Sequence, residues 1–554
     1  MEMADEKRLQ VKTLSSLTKI VANRIYGSTS KGCQAAHGQE VSFQIAYRFV
    51  APKYTRTDFS VEVDSPLAES ISLFRVESVP VELAAYPERH DQNYLSLCPG
   101  LFPDPLIPLE GGTVRARMGL WQSLWVSVRI PEGCDAKTYP IQIRFCSADG
   151  IVAKCKYQIE VQNVDLPKQK LLYTQWFHCD CIADAHGVSV FSEEHWRLIG
   201  EYMQTAAEHG MNMILTPVVT PPLDTAIGSE RPTVQLVGIV KDGDRYTFDF
   251  TRLKRYIHMA LDCGIGYFEI SHLFTQWGVA HAPKVVATVN GEEKRIFGWE
   301  TDACSNEYVS FLRQFVPAML AFLKSEGVTE DQLWFHVSDE PSMQHLDAYR
   351  AGADVLRPLI GGCHHMDALS DYEFYKEGLL ETPVVATNHI ETYLDAKVPN
   401  LWCYYCCGQG MGTSNRFLAM PSARTRIIGV QMYKYGIKGF LQWGYNFYYT
   451  ARSEKLIDPW KTTDGECSWP AGDPFSVYPY GDGVIPSIRQ KVFAQALEDM
   501  RLLNLLDEKL GHDRVVAEIE KIAGCEITFS QAPSYSGDFF DRLYDFIFTE
   551  LNKA

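Results

Sequence analysis

The sequence predicts a multidomain α/β chain: an N-terminal β-sandwich, then a (β/α)8 TIM barrel, then a short helical C-terminal tail. Three observations carry that prediction. Segments up to Pro167 alternate apolar and polar residues with period two. After Lys170 the pattern becomes strand, loop and helix, repeated. The repeated strands also turn polar or aromatic toward their C-terminal ends. At 554 residues the chain is too long for one ordinary domain.

In the first 167 residues, "VSFQIAYRFV", "FSVEVDS", "LWVSVRIPEG", "TYPIQIRF" and "KYQIEVQNV" read as strands separated by Gly, Pro and Asp turns, a sandwich pattern. No catalytic constellation stands out there. A structural domain is expected, with an accessory sugar-binding module as the alternative. "VDLPKQK" reads as the exit linker. Over residues 170–510 the candidate strands are "LLYTQWFHCD", "MNMILTPVV", "YFEISHLF", "LWFHVSDE", "IGGCHHMDAL", "PVVATNHI", "LWCYYCC" and "GFLQWGYNF". Helical stretches such as "SEEHWRLIGEYMQTAAEHG" lie between most of them; Ser192 is placed to cap that helix and Gly210 to end it. Eight strands alternating with helices meet the requirement of a barrel. A doubly wound sheet is the alternative, but it usually carries a Gly-rich phosphate turn after its first strand, and "FHCDCIADAHG" is not one. Residues 511–554 read as a helical extension packed on the barrel.

Composition narrows the function. With 46% hydrophobic and 12% aromatic residues, a large packed core is expected. Lys and Arg number 52 against 69 Asp and Glu, a net charge of −17, which disfavours nucleic acid and anionic membranes and suits a neutral ligand. "MEMADEKRLQVKTLSSLTKIVANRIYG" has no apolar core of the signal-peptide kind, and no run approaches the ~18 apolar residues of a membrane span. Fifteen scattered cysteines fit a reducing cytoplasm, the expected location. Zinc on Cys403, Cys406 and Cys407 is disfavoured, because neighbours on a strand face opposite ways and no second CxxC lies at a suitable distance. "FHCD" (His178, Asp180) also has the look of a metal-hydrolase strand, but its remaining ligands are missing. Neither a metal nor a cofactor is expected.

The strand ends carry His178 and Asp180, His272, Asp339 and Glu340, His365 and Asp367, Asn388 and His389, Tyr404 and Tyr405, and Trp443 and Asn446. In a barrel these ends open onto one face, where active sites sit. The adjacent acids of "LWFHVSDEP" admit three readings. One acid caps the helix after Pro341 while the other forms an ion pair. Or Glu340 is half of an ordinary glycosidase pair, with a partner such as Asp180 or Asp367. Or the pair serves a sugar bearing a 2-acetamido group, whose carbonyl oxygen attacks the anomeric carbon. One carboxylate then orients the acetamido N–H. Its neighbour, kept protonated by the like charge beside it, acts as acid and base.

"WFHCDC" with "NMILTPVVTPPLDT", "ISHLFTQWG" with "HAPKV" and "FGWET", "FHVSDEP" and "GFLQWGYNFY" together resemble the DUF4091 family and, through it, glycoside hydrolase family 123, the β-N-acetylgalactosaminidases. The resemblance runs from about Tyr173 to Leu506. It implies an exo-acting, retaining, substrate-assisted enzyme, with Asp339 orienting the acetamido group and Glu340 as acid/base. The first part of the chain looks like the sandwich that precedes the barrel in that family. By position, Trp277, Tyr405 and Trp443, and less so Trp402, could stack on a sugar face. His178, His272, His365, Asn388 and Asn446 could donate to hydroxyls. The expected partner is a small glycoside or oligosaccharide. A glycosidase acting on a non-acetamido sugar and a non-catalytic sugar-binding barrel remain the alternatives, and the oligomeric state stays open.

Overall fold

A computed structural model of the chain describes residues 8–51, 56–530 and 537–553. The sheet-rich N-terminal part holds two five-stranded sheets. One runs Arg8–Ser15, Glu40–Val50, Gln122–Arg129, Ile71–Val81, Gly100–Pro108 in spatial order. The other runs Gly32–His37, Gly150–Asp165, Thr138–Ser147, Arg56–Asp64, Thr113–Arg117. Pairing is antiparallel except between Gly32–His37 and Gly150–Asp165. Alternate residues of both sheets, Phe43, Ile45, Val126, Ile143 and Tyr157 among them, share one core, and Phe43 stacks on Tyr157 with ring centroids 3.9 Å apart. All five strands expected from the alternation are present.

Eight parallel strands then form a barrel: β1 (Leu172–Gln175), β2 (Met213–Thr216), β3 (Tyr267–Ile270), β4 (Leu333–Phe335), β5 (His364–Ala368), β6 (Thr382–Ala386), β7 (Trp402–Tyr404) and β8 (Gly439–Gln442). Their spatial order is β1-β8-β7-β6-β5-β4-β3-β2, each ladder parallel. A nearly closed ring of this order excludes the doubly wound alternative. The β1–β2 seam has no ladder and is joined by Asn212. Its Oδ1 accepts from the Tyr173 N–H at 2.8 Å, its Nδ2 donates to the Leu171 carbonyl at 3.0 Å, and its own N–H donates to the Tyr173 carbonyl at 3.2 Å.

Period-two alternation sorts the barrel's side chains. Phe268, Phe335, Val385, Cys403 and Phe440 face the helices, whereas Met213, Leu215, Trp334, Met366, Val384, Trp402 and Leu441 fill the interior. Trp334 and Trp402 lie 5.0 Å apart in that filling, so Trp402 belongs to the floor rather than to a sugar platform. The helix Glu193–Glu208 starts where expected: Ser192 Oγ accepts from the His195 N–H at 3.2 Å. Gly210, at φ +91°, ends its turn against Leu497, which a Cβ would meet at 2.6 Å.

The loops after β2 and β3 are long, and each carries a hairpin, Gly238–Asp242 with Arg245–Asp249 and Val285–Val289 with Glu292–Phe297. The two join into one four-stranded sheet beside the barrel mouth. The last barrel helix, Ile488–Leu510, is followed by His512–Ala523 and Gly537–Leu551. The tail lies against the barrel and also against the sheet-rich part. Tyr544 OH donates to Asp499 at 2.8 Å on the barrel side, but it accepts from Gln39 Nε2 at 2.7 Å, and Asn552 Nδ2 donates to Gln162 Oε1 at 2.8 Å, both on the sheet-rich side. The buried stripe Phe539, Phe540, Leu543, Tyr544, Ile547 and Phe548 is wide enough to face both halves.

Candidate active site

The strand β4 delivers the acid pair to the barrel mouth, and a local break in the pleat explains how neighbours can face the same way. Consecutive residues of a strand point to opposite faces. Glu340 instead adopts φ +44°, a left-handed conformation that costs a non-glycine residue energy and marks functional sites. Its N–H donates to the Ala368 carbonyl at the end of β5, 2.8 Å away. Both acids therefore line one cavity of about 180 Å³. Its walls are Trp176, Leu223, Trp277, Ala368, Tyr404, Leu441, Trp443, Phe447 and Trp469. Its polar groups are His178, Asp224, Gln276, Cys406, Cys407 and the pair. Neither acid caps the following helix, which removes the capping reading: Asp339 Oδ2 accepts from Gln276 Nε2 at 2.6 Å, and Glu340 Oε1 accepts from Tyr404 OH at 2.6 Å.

The two acids sit in different surroundings. Asp339 is 7% exposed while Glu340 is open to solvent. Burial first, and the adjacent Glu340 second, push the Asp339 carboxyl well above its usual range, against the pull of the Gln276 hydrogen bond. Desolvation and the like charge thus add at Asp339, the buried member of the pair.

Beneath the pair lies a buried polar network. Glu269 accepts from Trp176 Nε1 at 2.6 Å, Thr174 Oγ1 at 2.7 Å and His336 Nε2 at 2.7 Å. Asp367 takes His336 Nδ1 at 3.2 Å, His365 Nε2 at 3.1 Å, Tyr349 OH at 2.5 Å and the N–H groups of Val337 and Ser338 at 3.0 and 3.2 Å. Burial alone would strip the His336 proton, but its bonds to Asp367 and Glu269 outweigh burial and hold the ring up to about 9. The same His336 and His365 bonds keep Asp367 low despite burial. Asp367 thus fixes the end of β4 just before the acid pair.

His272, His336 and Asp367 bring possible ligand atoms within 4.8 Å of one another. His336 has both nitrogens taken by carboxylates and each Asp367 oxygen already accepts several bonds, so these two are committed to a salt-bridge network, whereas neither His272 nitrogen has a hydrogen-bond partner among the described residues.

Of the residues expected to bind substrate, His178, Trp277 and Trp443 line the cavity. The His178 nitrogens are both engaged, with Trp443 O and Arg231 Nη2 at 3.2 Å each; burial, then Arg231, push the ring down to about 3. Trp443 Nε1 donates to Asp473 at 2.9 Å, presenting its ring to the cavity beside Trp469. Trp277, 47% exposed, stands at the rim with its N–H on the Asp339 carbonyl at 3.1 Å.

The other expected residues lie elsewhere. His272 is fully buried behind Trp176, stacked on His336 at 4.1 Å. His365 is spent on Asp367 and Tyr349. Tyr405 faces outward against Phe440 and Phe493, because the side-chain alternation brings its neighbour Tyr404 inward. Asn446 clamps the His178 backbone, accepting from its N–H at 2.9 Å and donating to its carbonyl at 3.0 Å. Asn388 accepts from Gln409 at 2.8 Å outside the cavity. Asp180, once a possible second carboxylate, is locked to Arg231 at 2.6 and 2.7 Å, and Asp367 is sealed in the network. Sequence reasoning passed over Asp224, Gln276 and Trp469. The first two lie within "PPLDT" and "TQWG", stretches that already carried the resemblance.

A model of the glycoside hydrolase 123 catalytic domain matches residues 176–506. No curated protein matches the sequence. Among solved structures, the chain is similar to a family 123 glycoside hydrolase from Clostridium perfringens at 15% identity and a TM-score of 0.73, over 98% of each chain. Looser likenesses are a Bacteroides ovatus family 5 xyloglucanase (8% identity, TM-score 0.30, 84% of this chain and 98% of that one) and a Ruminococcus gnavus β-glucuronidase (8%, 0.30, 89% and 69%). The family match spans barrel strands β2 to β8 and the acid pair at the mouth: this chain belongs to glycoside hydrolase family 123 and is a glycoside hydrolase.

Proposed function

We propose that the enzyme is an exo-acting β-N-acetylhexosaminidase, preferring galactosamine, that retains configuration through an oxazolinium intermediate. The observation that carries this reading is the adjacent pair Asp339 and Glu340, both lining one small, largely aromatic cavity. In the proposed mechanism the acetamido oxygen attacks the anomeric carbon while Glu340 gives a proton to the leaving oxygen. Asp339 accepts the acetamido N–H and balances the positive charge of the ring that forms. Glu340 then takes a proton from water as the water opens that ring. Cavity-lining Arg and Lys are absent among the described residues, which supports a neutral sugar.

The Clostridium perfringens relative is described for glycolipid glycan hydrolysis. An apolar aglycone is our reading here too. Ile227, Trp277, Met343 and Leu456, on the loops after β2, β3, β4 and β8, are exposed apolar residues available to meet it.

The test is release of an aryl group from β-N-acetylgalactosaminide. Glu340→Gln and Asp339→Asn are each expected to lose about 10²–10⁴-fold in kcat, and a thiazoline mimic of the oxazoline to inhibit. Full activity in both variants would sink the proposal. Asp224 supports a second reading. This third carboxyl on the cavity wall, pushed by burial up to about 6, could partner Glu340 on a sugar without the acetamido group. That reading requires the plain aryl β-galactoside to be hydrolysed at a comparable rate and Asp224→Asn to abolish it.

A further inference from the structure

The loops after β2 and β3 meet at one amide, and its orientation can be read from chemistry alone. The backbone N–H of Asp224 donates to Gln276 Oε1. A backbone N–H can only donate, so the oxygen of the amide must face it, and the NH2 end must face Asp339, whose Oδ2 lies 2.6 Å from Nε2. Asp224 is itself held by the loop after β8: its Oδ2 accepts from the Arg452 N–H at 2.9 Å and its carbonyl from Ser453 Oγ at 2.6 Å. Three loops therefore converge on one donor. Asp339 Oδ2 is committed as an acceptor, and Oδ1 is left without a protein hydrogen bond among the described residues. Glu340 is arranged in the same way: Tyr404 OH occupies Oε1, and Oε2 has no hydrogen bond among the described residues.

We propose that Gln276 is a positioning residue that reserves Asp339 Oδ1 for the substrate's acetamido N–H, so that substrate binding drives the proton of the acid pair from Asp339 to Glu340. This rests on the substrate-assisted reading above. With Oδ2 accepting from Gln276 and Oδ1 accepting from the acetamido N–H, both donors favour the ionised form of Asp339 and lower its proton affinity below that of Glu340. The exchange is balanced: Asp339 carboxyl plus Glu340 carboxylate becomes Asp339 carboxylate plus Glu340 carboxyl, with no change in net charge. The proton arrives on Oε2, the oxygen left free to protonate the leaving group. Burial and Glu340 favour the proton on Asp339 in the free enzyme, so the arriving sugar arms the acid. A sugar lacking the acetamido group lacks both the nucleophile and the trigger.

Other titratable groups face the pair from each side. His178 lies on the loop after β1, Asp224 after β2, His336 and Asp367 in the floor, Tyr404 and the thiols of Cys406 and Cys407 on β7 and its loop, and Asp473 behind Trp443. None of them donates to Asp339 in place of Gln276 among the described residues.

The test compares pH profiles of kcat/KM for an aryl β-N-acetylgalactosaminide in the full chain and in Gln276→Leu and Gln276→Glu. Losing a donor to a carboxylate raises its pKa, so its ionised fraction at a given pH falls. The free enzyme holds the pair's one proton on Asp339, so the alkaline limb, which reports loss of that proton, is expected to move upward by about 1 pH unit in Gln276→Leu and further in Gln276→Glu, with kcat at neutral pH down about tenfold or more. A limb that stays in place in both variants, whatever the rate loss, overturns the proposal. Should the variants fold poorly, calorimetry of N-acetylgalactosamine binding to the wild type in buffers of different ionisation enthalpy decides the matter. An internal transfer exchanges no proton with the buffer, whereas release of about one proton per sugar refutes it. Failure of the underlying reading shows separately, as wild-type enzyme that cleaves the plain galactoside equally fast.

Discussion

At the scale of single residues, the site depends on which oxygen of each acid is occupied. Tyr404 holds Glu340 Oε1 at 2.6 Å, so Tyr404→Phe is expected to lower kcat about tenfold with KM little changed, read on the same aryl substrate. Glu340 keeps its carboxyl, but its orientation is no longer fixed. The same position shows how much of the site was legible in the sequence. The acids Asp339 and Glu340 stood out as an adjacent pair closing a buried strand. Tyr404 and Tyr405 did not separate, because which of two neighbours faces inward depends on a register that the end of a strand gives no way to count. His272 and His365 misled for a related reason. A polar residue near a strand end reads the same whether it opens to a ligand or supports a buried carboxylate such as Asp367. Gln276 carried no signal of its own, since its role depends on a backbone N–H brought from another loop.

At the scale of elements, the eight barrel strands were legible because each is a short apolar run ending in polar residues, and the long helices because their caps are spelled out. The edge strand Gly100–Pro108 was not, for its three prolines argue against a strand. At a sheet edge their missing N–H groups cost little. The hairpin Val285–Val289 with Glu292–Phe297 did carry a signal: Asn290 and Gly291 both sit at positive φ, the turn that an Asn-Gly pair favours. The barrel seam is the element most open to attack. Asn212→Ala deletes two side-chain hydrogen bonds that join β1 to β2 and leaves the Tyr173 N–H without its acceptor. A loss of about 2–3 kcal/mol is expected, seen as a lower thermal midpoint, with the catalytic constants at low temperature nearly unchanged. An unaltered midpoint would show that the seam is held by packing alone.

At the scale of the whole molecule, the two halves are tied by charge as well as by apolar contact. Asp104, on the edge strand of the first half, accepts from Arg489 Nη2 at 2.8 Å and from Tyr478 OH at 2.6 Å, all three groups buried. Removing one partner of a buried ion pair strands the other. Asp104→Ala is therefore expected to cost about 3–5 kcal/mol and to split a single calorimetric transition into two as the halves uncouple. One undivided transition at the wild-type midpoint would contradict that role. The tail helix Gly537–Leu551, touching both halves, adds to the same joint. Four of the chain's eleven tryptophans, Trp176, Trp277, Trp443 and Trp469, are gathered on the walls of one small cavity. The protein consequently carries a built-in optical gauge: a sugar settling against those indoles displaces water from them, so occupancy can be followed by ultraviolet emission on unlabelled enzyme, even in a variant too slow to release any product.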